Sequence, residues 1–96
     1  MTSKQRSNLK SIAANLQPIA QLGKGGVGEN MLRSLSDALE AHELTKINVL
    51  GNASEDAKDL GAALAEQLGA ECVAVIGHKI ILYRRSSRKD FDHIVF

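Results

Sequence analysis

Ile19-Ala20-Gln21-Leu22-Gly23-Lys24-Gly25-Gly26-Val27-Gly28-Glu29-Asn30-Met31-Leu32 runs from a short apolar stretch, through four glycines in six positions, into a helical pattern. Ile19 to Leu22 reads as a strand and Gly23 to Gly28 as a loop. Met31, Leu32, Leu35, Ala38 and Leu39 then recur on one helical face, which ends near His42. Strand, glycine loop and helix in that order form the unit of an α/β fold. The order also sets backbone N–H groups at the helix start where they can face an anion.

The flanks extend the same grammar. Leu9, Ile12, Ala13 and Leu16 fall at i, i+3, i+4 and i+7, one face of a helix over about residues 3–16 that Pro18 stops. Leu44 to Leu50, with Ile47 and Val49 alternating, reads as a second strand that Gly51-Asn52 breaks. Ser54 is a candidate N-cap, with Glu55 and Asp56 at the positive end of the dipole of a third helix. Ala57, Leu60, Leu64 and Leu68 form that helix's apolar face, and Gly69 is its natural stop. Cys72 to Ile76 and Ile80 to Arg84 read as strands around Gly77-His78, a pair suited to a type II′ hairpin. The expected fold is a single-domain α/β sandwich, α-β-α-β-α-β-β, with helices on a four-stranded mixed sheet. Residues 1–86 read as the domain and 87–96 as a basic, then mixed, tail.

The 96 residues suit one domain, and 44% hydrophobic content suits one core. The single Cys72 excludes an internal disulfide and fits a reducing, cytoplasmic setting. No stretch is long and apolar enough to span a membrane, and the polar start leads into no signal-peptide core. The only aromatics are Tyr83, Phe91 and Phe96, which weighs against reading bases by aromatic stacking. Net charge is +1, but its distribution is uneven. Residues 1–24 carry Lys4, Arg6, Lys10 and Lys24 and no acid. Residues 25–78 carry nine acids and three bases, and residues 79–89 carry Lys79, Arg84, Arg85, Arg88 and Lys89 and no acid. Such asymmetry fits a polyanionic partner on one face, and equally basic termini that merely solvate a small protein; charge alone does not choose between them.

Three motifs overlap in the glycine loop. Gly23, Gly25 and Gly28 match G-x-G-x-x-G, but no acid ends the second strand and the chain is too short for two mononucleotide-binding halves. Lys24-Gly25-Gly26-Val27-Gly28 resembles the start of a variant ATPase phosphate loop. That loop continues with Lys and then Ser or Thr, whereas Glu29 and Asn30 stand here, and a carboxylate would repel a triphosphate. The third motif is G-x-x-G, Gly23-Lys24-Gly25-Gly26, which in KH domains clamps a nucleic-acid backbone.

The flanks favour the third motif. Leu16-Gln17-Pro18-Ile19-Ala20-Gln21-Leu22-Gly23-Lys24-Gly25-Gly26-Val27 resembles the first half of the CRM domain (chloroplast RNA splicing and ribosome maturation). His42-Glu43-Leu44-Thr45-Lys46-Ile47-Asn48-Val49 resembles its middle signature, H-E-L-[IV]-K-V, with Thr45 in place of the aliphatic residue. Val75-Ile76-Gly77-His78-Lys79-Ile80-Ile81-Leu82-Tyr83-Arg84 resembles its closing hairpin. The likeness covers about residues 4–86 and is nearest to stand-alone bacterial YhbY-type proteins. It implies a fold similar to the C-terminal domain of translation initiation factor three. It also implies RNA binding, with ribosomal RNA of the pre-50S particle as the partner in large-subunit assembly.

The expected RNA site is Gly23, Lys24, Gly25 and Gly26 on a phosphate, with Lys4, Arg6, Lys10, Lys46, Lys79, Arg84, Arg85 and Arg88 supplying charge to shape and backbone recognition. The alternative is a protein-interaction module docking on a ribosomal protein or assembly factor. No nucleophile–base pair and no metal-ligand spacing occurs, so neither an enzyme nor a metal, nucleotide or other cofactor is expected. His42 and Glu43 are read as structural, Cys72 as a small core residue, and Tyr83 as either a half-buried sheet residue or a side chain that stacks a base. Ile94-Val95-Phe96 is read as loosely docked or disordered.

Overall fold

The computed structural model describes residues 1–23, 25–51 and 56–96. Helix α1 (Ser3–Ala13) is followed by β1 (Ala20–Leu22), α2 (Glu29–His42), β2 (Leu44–Val49), α3 (Ala57–Leu68), β3 (Glu71–Ile76) and β4 (Lys79–Tyr83). The element order is the expected one. The strands lie side by side as β1-β2-β4-β3. β1 and β2 are parallel because α2 carries the chain back between them, and the other pairs are antiparallel.

Alternation along the strands decides which layer each residue joins. Leu22, Ile47, Val49, Ile80 and Leu82 face α2 and α3, where they meet Leu35, Leu39, Leu60, Leu64 and Leu68. Leu44, Val73 and Ile81 face the other way and are covered by Leu9 and Ala13 of α1. The result is three layers, with two helices on one sheet face and one on the other.

Local chemistry sets the element ends. Thr2 and Gln5 form a reciprocal cap at the start of α1, Thr2 Oγ1 accepting from the Gln5 amide and Gln5 Oε1 from the Thr2 amide. α1 ends at Ala13 rather than near 16, and a turn at Ala14–Asn15 carries the chain out before Pro18. α3 is capped by Asp56, whose carboxylate accepts the Asp59 amide at 2.9 Å, and not by the expected Ser54; Ser54 and Glu55 lie outside the described residues. Gly69 ends α3 in the left-handed conformation, as read. In the β3–β4 hairpin Gly77 has φ +60°. Cys72 pairs with Leu82 and Ala74 with Ile81, so Val73 is an extra residue, a bulge the sequence did not signal.

The C-terminal residues are placed against the domain, in contrast to the loose or disordered end expected. Ile94 and Phe96 join the cluster beneath α1, and the Phe96 ring meets Tyr83 edge-on at 4.9 Å. Glu43 holds them there. It ends α2 at φ 65° and is fully buried. Its carboxylate accepts the amides of Ser86 and Ile94, each at 2.8 Å, and lies 2.5 Å from His93 Nδ1. An ionised carboxylate only accepts, so the ring carries a proton on Nδ1. Glu43 is thus structural, as read.

Candidate nucleic-acid interface

The glycine loop leaves β1 and enters α2 at one end of the sheet. Gly26 donates to the Gly23 carbonyl at 3.0 Å and has φ +68°, so a glycine is needed there. Gly25 and Gly28 are different. A Cβ on either would meet nothing within 4 Å, and neither has positive φ. Gly28 is the N-cap of α2 and offers no side-chain acceptor. The first helical bond runs from Leu32 to the Gly28 carbonyl, which leaves the earlier amides to outside partners. Lys24, expected at the tip of the site, lies outside the described residues.

Of the expected cations, Lys10, Lys46 and Lys79 come together. With Ala14, Ile76 and Ile81 they line a cleft of about 300 Å³ on the part of the α1 sheet face that α1 leaves open. No carboxylate lines it among the described residues. Lys46 and Lys79 are diagonal neighbours on adjacent strands, since Lys46 pairs with Ile81 and Asn48 with Lys79. Each is held in place: Lys46 Nζ donates to the Leu16 carbonyl at 3.3 Å, and Lys79 Nζ to Asn48 Oδ1 at 3.1 Å.

Two expected cations are tied into the fold instead. Arg6 Nη1 donates to the carbonyls of Cys72 (2.8 Å) and Val73 (2.7 Å), clamping α1 onto the β3 bulge beside Glu71. Arg84 donates to the Leu68 carbonyl at 2.8 Å and to the Ser36 carbonyl and hydroxyl at 2.9 and 3.0 Å. It thereby brings a cation to the end of α3, whose own last turn has none. Arg85 and Arg88 are exposed but follow the far end of β4 from Lys79. Across the five residues of β4, ~3.4 Å each, that separates them from the glycine loop by more than ~10 Å. Lys4 is exposed on the first turn of α1. The basic residues therefore form no single surface among the described residues.

Burial pushes the Cys72 thiol up, with Arg6 opposing and Glu71 adding to it, which favours the protonated form. Burial and then the Glu43 charge push the Tyr83 phenol up, with Arg85 opposing. Sequence reasoning missed Gln21, Asn48 and Ile76, which share the open sheet face with Lys79. The signal was present in the alternation, because each is one residue away from a side chain facing α2 and α3.

These features define a class: a small three-layer α/β domain with a bare glycine loop and a lysine-lined cleft at one end of its sheet. The CRS1 / YhbY (CRM) domain family matches residues 1–84, and the chain belongs to that family. It is 45% identical over 86 residues to "Probable RNA-binding protein YqeI" of Bacillus subtilis, covering 90% of each chain. It is 36% identical to a Haemophilus influenzae protein named "RNA-binding protein", covering 90% of this chain and 87% of that one. Among solved structures, the solution structure of SAV1595 from Staphylococcus aureus superposes with a TM-score of 0.77 at 44% identity, covering 94% of both chains. These curated relatives are named for RNA binding and not for a reaction.

Proposed function

We propose that this chain binds RNA without catalysing a reaction, and that it acts on ribosomal RNA of the pre-50S particle in the cytoplasm. The observation that carries this reading is the surplus of glycine. Gly26 must be glycine for its backbone, whereas Gly25 and Gly28 lack side chains although each has open space around it. Bare amides at a helix start can approach a phosphate closely. The Lys10, Lys46 and Lys79 cleft on the adjoining sheet face extends the charge. Ribosomal RNA as the particular partner rests on the likeness of the three motifs to bacterial members of the family.

The test is Lys24→Glu, read by binding to structured ribosomal RNA fragments across a salt series. Lys24 stands between glycines in the sequence, with no apolar side chain beside it, so melting should barely move. Affinity should fall several-fold or more, and log affinity should fall linearly with log salt, by about 0.7–0.9 per phosphate neutralised. Wild-type affinity in a variant that melts normally would remove the loop from the site.

A second reading, docking on a ribosomal protein or assembly factor, has one observation in its favour. Ile12 and Ile19, 38% and 46% exposed, open onto a cleft of about 290 Å³ with Leu16, Leu44 and Ile94. Capture of a ribosomal protein with affinity that survives high salt would favour it.

A further inference from the structure

One row of side chains crosses the whole sheet at the end next to the glycine loop. Gln21 of β1 pairs with Asn48 of β2, Asn48 with Lys79 of β4, and Lys79 with Ile76 of β3. The inward neighbours Leu22, Val49, Ile80 and Val75 belong to the core beneath α2 and α3, so all four row residues face the open side. The row begins two residues before Gly23. It ends in the cleft of Lys10, Lys46 and Lys79, whose apolar floor is Ile76, Ile81 and Ala14. Ile76 is 53% exposed, although a β-branched residue in a strand ordinarily finds a neighbour to cover it.

The chemistry of this cleft is specific in kind. Three ammonium groups with no lining carboxylate select an anion. The aliphatic floor selects an apolar face attached to that anion. The volume is at the small end for ligand sites, room for about one nucleotide unit and too small to hold a duplex. We propose that the cleft receives one unpaired nucleotide of an RNA whose backbone runs from the glycine loop along Gln21, Asn48 and Lys79. The phosphate sits among Lys10, Lys46 and Lys79, and the base lies against Ile76 and Ile81. Because the floor is aliphatic and not a hydrogen-bonding edge, base identity matters little while the presence of an unpaired base matters much. This deepens the RNA-binding reading and rests on it.

The experiment compares two RNA hairpins with the same stem, one fully paired and one carrying a single bulged 2-aminopurine. The wild-type chain should bind the bulged hairpin about tenfold more tightly, with a change in 2-aminopurine fluorescence on binding. Ile76→Ser, at an exposed position, should melt like the wild type and bind the paired stem equally well while losing the preference for the bulge. Equal affinity of the wild type for both hairpins would overturn the cleft and leave RNA binding intact, as would a bulge preference that survives in Ile76→Ser. Displacement of the bulged RNA by poly-glutamate at matched charge, with no displacement by the paired stem, would overturn it in favour of an acidic peptide. Failure of both hairpins to bind at low salt would overturn the RNA-binding reading along with it.

Discussion

Thr45 carries the buried side-chain oxygen that has no partner among the described residues. It stands opposite Leu82 in β2 and is 1% exposed. A hydroxyl in such a place has given up water and gained nothing, at a cost of ~1–3 kcal/mol. Valine has nearly the same shape and the same preference for strands. Thr45→Val is expected to raise stability by ~1–2 kcal/mol, which moves the melting temperature of a domain this size upward by roughly 5–15 °C. Thermal melting checks this, and an unchanged or lower midpoint would mean the hydroxyl is satisfied. The sequence marked Thr45 as a departure from an aliphatic position. It could not show that the departure leaves an oxygen orphaned, because that depends on what α2 and α3 set against it. Arg6 and Arg84 failed to be read for the same reason. Their carbonyl partners lie 16 to 67 residues away along the chain, and a charge count treats a clamped guanidinium like a free one.

Among the elements, α3 shows how packing can overrule local preference. Gly61 sits in the helix interior, where alanine is better by ~0.5–1 kcal/mol. Its position is also where α3 lies directly against β3 and β4. An added Cβ would stand 3.0 Å from Cys72 Sγ, 3.3 Å from Val75 Cγ2 and 3.4 Å from Ile80 Cγ2. The sulfur is the tightest of these contacts. Gly61→Ala alone is therefore expected to gain nothing or to destabilise, whereas in a Cys72→Ala background the helix preference should come through. The two substitutions should show a favourable coupling of ~1 kcal/mol in a denaturation cycle; strict additivity would place the strain elsewhere. Periodicity made every helix and strand legible, with ends displaced by one to three residues. It hid the bulge at Val73, which breaks the alternation on which strand reading depends.

For the whole molecule, the two ends of the sheet have different tasks. One end carries the glycine loop, the β3–β4 turn and the row through Asn48 and Lys79. The other carries Glu43, Arg84 and the docked C-terminal residues. Composition alone could not separate them, because Lys79 and Arg85 are near in sequence and stand at opposite ends of one strand. The far end should respond to acid. Burial pushes the Glu43 carboxyl up, but His93 and the amides of Ile94 and Ser86 together outweigh it, and the net shift is downward. A carboxyl lowered by folding contributes stability that is present above its unfolded value and is lost as pH falls through its folded value. Docking should thus hold at neutral pH and fail only once pH falls below the ordinary glutamate range. Tyr83 reports this directly: it is the sole tyrosine, no tryptophan competes, and Phe96 lies against its ring. Its fluorescence should change in acid before the far-ultraviolet circular dichroism of the domain is lost. Glu43→Gln cannot ionise, so at neutral pH its Tyr83 signal should already resemble that of the acidified wild type. RNA contacts made by the glycine loop and Lys79 should be unchanged by Glu43→Gln, since both lie at the other end. A Tyr83 signal that stays flat until the whole domain unfolds, or an acid step that persists in Glu43→Gln, would show that another group holds the C-terminal residues in place.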